Sequence, residues 1–150
     1  MSFRTATRVP AVGAAMTPFP YSVRPNEPIG EVERLLREHE IRHVPVQESG
    51  TVVGIISARD LLTLSRPSLV SPRPSALCAG DLATPDPYVV EFSTPLDRVV
   101  KTMAERRIGT AIVVRNGTLA GILSVVDVCK VLGDLLARLF GPPDPSDEAA

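Results

Sequence analysis

Apolar residues along this chain change their spacing in a fixed order, and the order occurs twice. Ile29, Val32, Leu35, Leu36 and His39 recur at helical intervals, so a helix is expected there, with its exit near Ile41. Two apolar stretches follow, Val44-Pro45-Val46 and Val52-Val53-Gly54-Ile55-Ile56, which read as strands joined by a turn at Glu48-Ser49-Gly50. A second helix begins near Ala58 and must stop before Pro67. In the second round, Thr94-Pro95-Leu96-Asp97 reads as a helix start, with Thr94 as cap and Pro95 at the first helical position. Asn116-Gly117, which suits the positive φ angles of a tight hairpin, marks the turn between the next strands. The last helix carries an apolar stripe of Val125, Val128, Leu132, Leu135, Leu136 and Leu139, and Gly141-Pro142-Pro143 ends it after Phe140. The stripe reads first as core. Its distal end is a candidate self-association surface, because the first round has no equivalent extension.

Sliding the chain against itself explains the recurrence. Met16-Thr17-Pro18-Phe19-Pro20-Tyr21 falls on Ala83-Thr84-Pro85-Asp86-Pro87-Tyr88, and the same offset carries Pro28 onto Pro95, Ile41 onto Ile108 and Gly54 onto Gly121 without a gap. About a third of the positions between Gly13 and Asp60 are identical to their partners, so duplication of one unit is the simplest account. The reading divides the chain into an extension (1–11), a first unit (12–66), a proline- and serine-rich linker (67–77), a second unit with a long last helix (78–140) and a polar tail (141–150).

Composition narrows the functions. With 16 basic and 17 acidic residues in 150, the chain has no net positive charge to draw it to a phosphate polymer, and nucleic acid is not an expected partner. No apolar run reaches the length of a signal peptide or a membrane span, so a cytoplasmic location without membrane contact is expected. Cys78 and Cys129 lack metal or redox spacing; Cys78 reads as a linker thiol and Cys129 as a small core residue. His39 and His43 stand four apart with no third ligand in sight, and no metal is expected. Arg98, Lys101, Arg106 and Arg107 alternate with acids as on a solvated helix face.

The candidate chemistry lies at two matching places, Ser57-Ala58-Arg59-Asp60 and Ser124-Val125-Val126-Asp127, each at a strand-to-helix junction where free N–H groups favour an anion. The serines could donate to a phosphate or ribose oxygen, and the aspartates could accept both hydroxyl protons of a ribose. The same spacing also fits a capping box, in which the two side chains only satisfy the helix start. Arg59 could add a phosphate contact, where Val126 fills the matching place; alternatively it is a solvated surface residue.

The ordered set of Met16-Thr17-Pro18, Ile41-Arg42-His43-Val44-Pro45-Val46 and Gly-x-x-Ser-x-x-Asp (Gly54 to Asp60 and Gly121 to Asp127) resembles the tandem cystathionine-β-synthase (CBS) domain pair, or Bateman module, over about Val12 to Leu136. The resemblance implies an α+β fold of two β-α-β-β-α units about a pseudo-two-fold axis. It further implies an interdomain cleft for AMP, ADP, ATP or S-adenosylmethionine as a regulatory ligand, with no obligatory cofactor. Carried onto this sequence, it implies Thr17, His43 and Val44 at the site of Ser57, Arg59 and Asp60, and Thr84, Thr110 and Ala111 at that of Ser124 and Asp127. Pro45, lacking an N–H, suggests a strand edge or interrupted pairing there, while its counterpart is Ile112, so the two sites need not be equal. From Arg59, the first site is expected to prefer the more anionic ligand, or to be the only one filled. The family also implies a homodimer and a separate regulated protein. No residue pattern suggests an enzyme, since acid–base pair, activated nucleophile and Walker-type loop are all missing from the sequence. The competing reading is a ligand-free dimerisation or scaffold module.

Overall fold

The computed structural model describes residues 8–18, 21–64 and 76–141; most of the linker and of the tail lies outside the described residues. The described residues sort into two compact bodies. One contains those within Pro20–Val89 and Asn116–Leu119, and the other those within Met1–Phe19, Val90–Arg115 and Ala120–Ala150. We call them the β3 body and the β7 body. Neither coincides with a single repeat.

In the β3 body, helix α1 (Ile29–Glu38) buries Ile29, Val32 and Leu36 on one side. Its exposed side carries Arg34 between Glu31 (2.6 Å) and Glu38 (3.0 Å). Strands β2 (His43–Glu48) and β3 (Thr51–Ser57) form the expected hairpin, turned by Ser49 and Gly50 at φ 50° and 79°. Burial alternates poorly along β2, where Val44, Pro45 and Val46 are all buried, as in a strand covered on both faces. Helix α2 (Ala58–Leu64) follows directly. Pro45 lies, as expected, on an edge strand with interrupted pairing: among the described residues β2 has β3 as its one strand neighbour, Pro45 stands opposite Ile55 with its carbonyl accepting the N–H of the isolated Val23 at 3.0 Å, and a register shift follows between Val46 and Gln47. The missing donor is tolerated beside that irregularity.

The β7 body repeats this plan. Helix α4 (Leu96–Arg106) buries Leu96, Val99 and Met103, β6 (Thr110–Arg115) and β7 (Thr118–Ser124) form the hairpin, and α5 (Val125–Phe140) ends at Gly141 with φ 78°. Asn116 and Gly117 take φ 51° and 79°, as the turn sequence requires. The α4 start falls one residue later than its sequence suggests. Pro95 is the cap and Thr94 makes no side-chain capping bond, because its backbone is held in a turn by Glu91 and its carbonyl accepts the Val12 N–H at 2.7 Å.

Two features were not legible in the pattern. A short helix, α3 (Ala79–Leu82), occupies the place in the second repeat that a single 3-10 turn (Val12–Ala14) occupies in the first. Cys78 caps α3 rather than belonging to a linker, its N–H held by the Asp81 carboxylate at 2.9 Å.

The second feature concerns the shortest strands. Strand β1 (Thr17–Pro18) pairs antiparallel with β7 of the other repeat, and β4 (Thr84–Pro85) pairs with β3, giving the sheet orders β1-β7-β6-β5 and β2-β3-β4, with β5 at Val89–Glu91. Each repeat thus donates its opening segment to the hairpin of the other. The registers match: Thr17 faces Ile122 as Thr84 faces Ile55.

Burial also corrects the reading of α5. Asp127 is its one buried residue, while Val125, Leu132, Leu136 and Leu139 are exposed by 50, 51, 45 and 66%, and Cys129 is exposed rather than core.

Candidate nucleotide site

Both Ser-x-x-Asp pairs lie where a strand runs without a loop into a helix, so the serine ends the strand and caps the helix. At the β3–α2 junction, the Asp60 Oδ2 atom accepts from the Ser57 N–H (2.7 Å) and hydroxyl (2.8 Å), and the Asp60 N–H donates to Ser57 Oγ at 3.2 Å. At the β7–α5 junction the Asp127 Oδ2 atom accepts from the Ser124 N–H and hydroxyl, each at 2.8 Å, and the Asp127 N–H returns to Ser124 Oγ at 3.2 Å. Both pairs are therefore capping boxes. The bond made by Ser57 or Ser124 leaves the second carboxylate oxygen, Oδ1, as the place where the two junctions can differ.

The exchange of opening strands regroups the expected site residues. Thr17 does not join His43, Val44, Ser57 and Asp60; its hydroxyl donates to Asp127 Oδ1 at 2.9 Å. Thr84 is likewise placed opposite Ile55, beside the Asp60 junction and not with Ser124. The β3 body thus brings together Thr84, His43, Val44, Ser57, Arg59 and Asp60. In the β7 body, Thr17, Thr110, Ala111, Ser124 and Asp127 stand at the corresponding places. Val44 and Ala111 are fully buried, so they can offer a ligand only backbone or a wall, whereas Arg59 is exposed.

Glycine explains how the exchanged strands fit. A Cβ on Gly121 would lie 2.5 Å from the Thr17 carbonyl oxygen and 2.7 Å from the Met16 sulfur; one on Gly54 would lie 2.9 Å from the Ala83 Cβ and 3.1 Å from the Thr84 carbonyl oxygen. Any larger residue would push the donated strand away.

The two junctions also differ in charge. His43, opposite Ser57 in the ladder, has its pKa lowered, chiefly by burial; Asp60 opposes the shift, and the cations Arg42 and Arg59 add to it. Arg42 was missed in the sequence, although it adjoins His43; its carbonyl accepts the Ala58 N–H at 2.7 Å. The corresponding positions in the β7 body are Gly109, Thr110 and Val126, none of which carries charge. His39 stacks on Tyr21 with ring centroids 3.9 Å apart and is not grouped with His43.

Residues 12–66 and 79–134 each match the CBS domain, and the chain belongs to the CBS-domain family. Among solved structures it is similar to the CBSX2 protein in complex with AMP, at 29% identity and a TM-score of 0.72 over 84% of this chain and 98% of that one. It is also similar to the CBS domain of the bacterial CNNM/CorC family Mg2+ transporter in complex with ATP, at 27% identity and a TM-score of 0.67, covering 81% of this chain and 85% of the other. Among curated proteins it is similar to inosine-5'-monophosphate dehydrogenase of Staphylococcus haemolyticus, 29% identical over 117 residues. That match takes in 75% of this chain but 22% of the dehydrogenase, so the chain spans about a fifth of the length of that relative. Among the described residues, no helix is long and apolar enough to cross a membrane.

Proposed function

We propose that this chain is a non-catalytic regulatory module that binds an adenosine-containing ligand (AMP, ADP, ATP or S-adenosylmethionine) beside its Ser-x-x-Asp junctions. The observation that carries the reading is the Asp60 junction. There, a carboxylate with one oxygen to which no described residue donates, and which a ribose diol could use, adjoins a serine hydroxyl, two arginines and a short-strand backbone edge able to receive a flat base. Relatives of the same fold carrying AMP and ATP support it. The ligand would act on a separate protein by favouring one of two arrangements of the module.

Thermal unfolding tests this directly. Ligand at about 100 times its dissociation constant adds about 2.7 kcal/mol, which for a chain of this size raises the midpoint by roughly 5 to 10 °C. A rise with AMP, ADP, ATP or S-adenosylmethionine but not with GTP is expected. No rise with any of them, in protein freed of co-purified nucleotide, would falsify the reading.

One observation favours a second reading, a ligand-free dimerisation or scaffold module: both acidic pairs already complete capping boxes without help. Asp60→Ala separates the two. A sensor loses ligand affinity, and a scaffold loses only a little stability.

Both readings include a homodimer. Val125, Cys129, Leu132, Leu136 and Leu139 follow alternating steps of four and three along α5, the seam of a helix pair, while Lys130, Asp134 and Arg138 fall away from it. An uncharged seam is complementary to itself, which favours a second copy as the occupant. Light scattering should find a dimer that Leu132→Glu converts to monomer; a monomeric parent protein would rule the seam out.

A further inference from the structure

Asp60 and Asp127 hold matching places in the repeat, yet their carboxylates are not equally available. Each gives Oδ2 to the serine three residues earlier. At Asp127 the other oxygen, Oδ1, is taken by the Thr17 hydroxyl at 2.9 Å, and the residue is only 9% exposed. At Asp60 no described residue donates to Oδ1, and the side chain is partly open to solvent. Thr84, which faces Ile55 in the register by which Thr17 faces Ile122, makes no bond to Asp60.

A ribose diol gripped by one carboxylate presents two hydroxyl donors and needs acceptor positions on an accessible edge. At Asp127 the Thr17 hydroxyl already takes one of the two acceptor positions of Oδ1, which a diol needs together, and holds it with a charge-assisted bond, the stronger class of hydrogen bond. A diol entering there must first displace Thr17 and reach a nearly buried group. At Asp60 no described residue has to be displaced. The cations reinforce the difference, since Arg42 and Arg59 flank the Asp60 junction, and Gly109 and Val126 take their places at the other.

We infer that Thr17 sets the number of ligands each chain holds: by occupying Asp127, it closes the β7 body to a nucleoside diol and leaves the Asp60 junction as the one that fills. This rests on the adenosine-binding reading above. It adds a gating residue, donated by the opposite repeat, which that reading does not contain.

Titration calorimetry of the purified full chain with AMP, ATP and S-adenosylmethionine in turn tests it. The unmodified protein should take up one equivalent, any second event being at least about tenfold weaker, as expected when a charge-assisted hydrogen bond must first be broken. Asp60→Ala should lose the tight event. Thr17→Val, which keeps the shape and strand preference of the side chain but removes the donor, should gain a second equivalent. The double variant Asp60→Ala/Thr17→Val should regain binding relative to Asp60→Ala alone, a gain that misfolding cannot produce. Two equal equivalents in the unmodified protein would overturn the inference and leave the adenosine reading intact. So would a double variant that binds no better than Asp60→Ala. The count in the unmodified protein and the loss in Asp60→Ala do not depend on how Thr17→Val folds. No binding by any variant to any of the three ligands would overturn both.

Discussion

The two strand-to-helix junctions are built from the same four-residue spacing and make the same four-atom box, but one is tied down by a strand from the other repeat and the other is not. At Asp127 the carboxylate is engaged on both oxygens and nearly buried. At Asp60, among the described residues, it is engaged on one, with cations beside it. The two repeats carry the same device, and side-chain differences around it leave one carboxylate more fully engaged than the other among the described residues. Capping and ligand binding are therefore not exclusive roles for a Ser-x-x-Asp pair, because the cap consumes only Oδ2.

The largest expected effect comes from the glycines under the donated strands. Gly121→Ala places a Cβ against the Thr17 carbonyl, a backbone atom that cannot step aside, and should cost about 3 kcal/mol in denaturant unfolding. Gly54→Ala meets looser neighbours and should cost about 1 kcal/mol. Equal losses would mean that the two donated strands are held alike.

Next come the aspartates themselves. Asp127→Ala strands the Ser124 N–H and removes the Thr17 tether, an expected loss of about 2.5 kcal/mol. Asp60→Ala also strands the Ser57 N–H, but at a partly exposed junction and with no Thr17-like tether to lose, so about 1 kcal/mol is expected. A reversed order would break the comparison.

The smallest effect is a pH dependence confined to one junction. Burial holds His43 below the ordinary imidazole value of about 6.5, so the unfolded chain takes up a proton that the folded chain refuses. Stability should be complete above pH 6.5 and decline as pH falls from there through the lowered folded value. His43→Thr, which copies the residue at Thr110, should flatten this part of the stability profile; an unchanged slope would assign it to other groups.

How far the sequence foretold this molecule depends on the range of the forces involved. Asn116-Gly117, Gly141 and the helical spacing of Ile29, Val32 and Leu36 act over a few residues, and the elements they announce are present. The donated strands could not be read in the same way. The repeat offset pairs Thr17 with Thr84 by descent, and two hairpins with the same glycine offer either threonine equivalent berths. Gly54 and Gly121, inside apolar strands, are a signal that a backbone comes close, but they do not say whose. The exposure of Cys129 was also hidden, because its neighbours follow the spacing of a core stripe, and among the described residues no element covers that side of α5.

The pairing of β1 with β7 also orders events during synthesis. Most of the β3 body lies within a continuous run of chain, so its hairpin, α1, α2, α3 and β4 can assemble while later residues are still being added. Thr17 and Pro18 emerge before the β3 body yet find their partners, Ile122 and Gly121, only after it has been made. A segment made before the β3 body is thus secured after it, and closing so long a loop is a slow step. A nascent chain stalled before β7 would hold a formed Asp60 junction and no Asp127 junction at all.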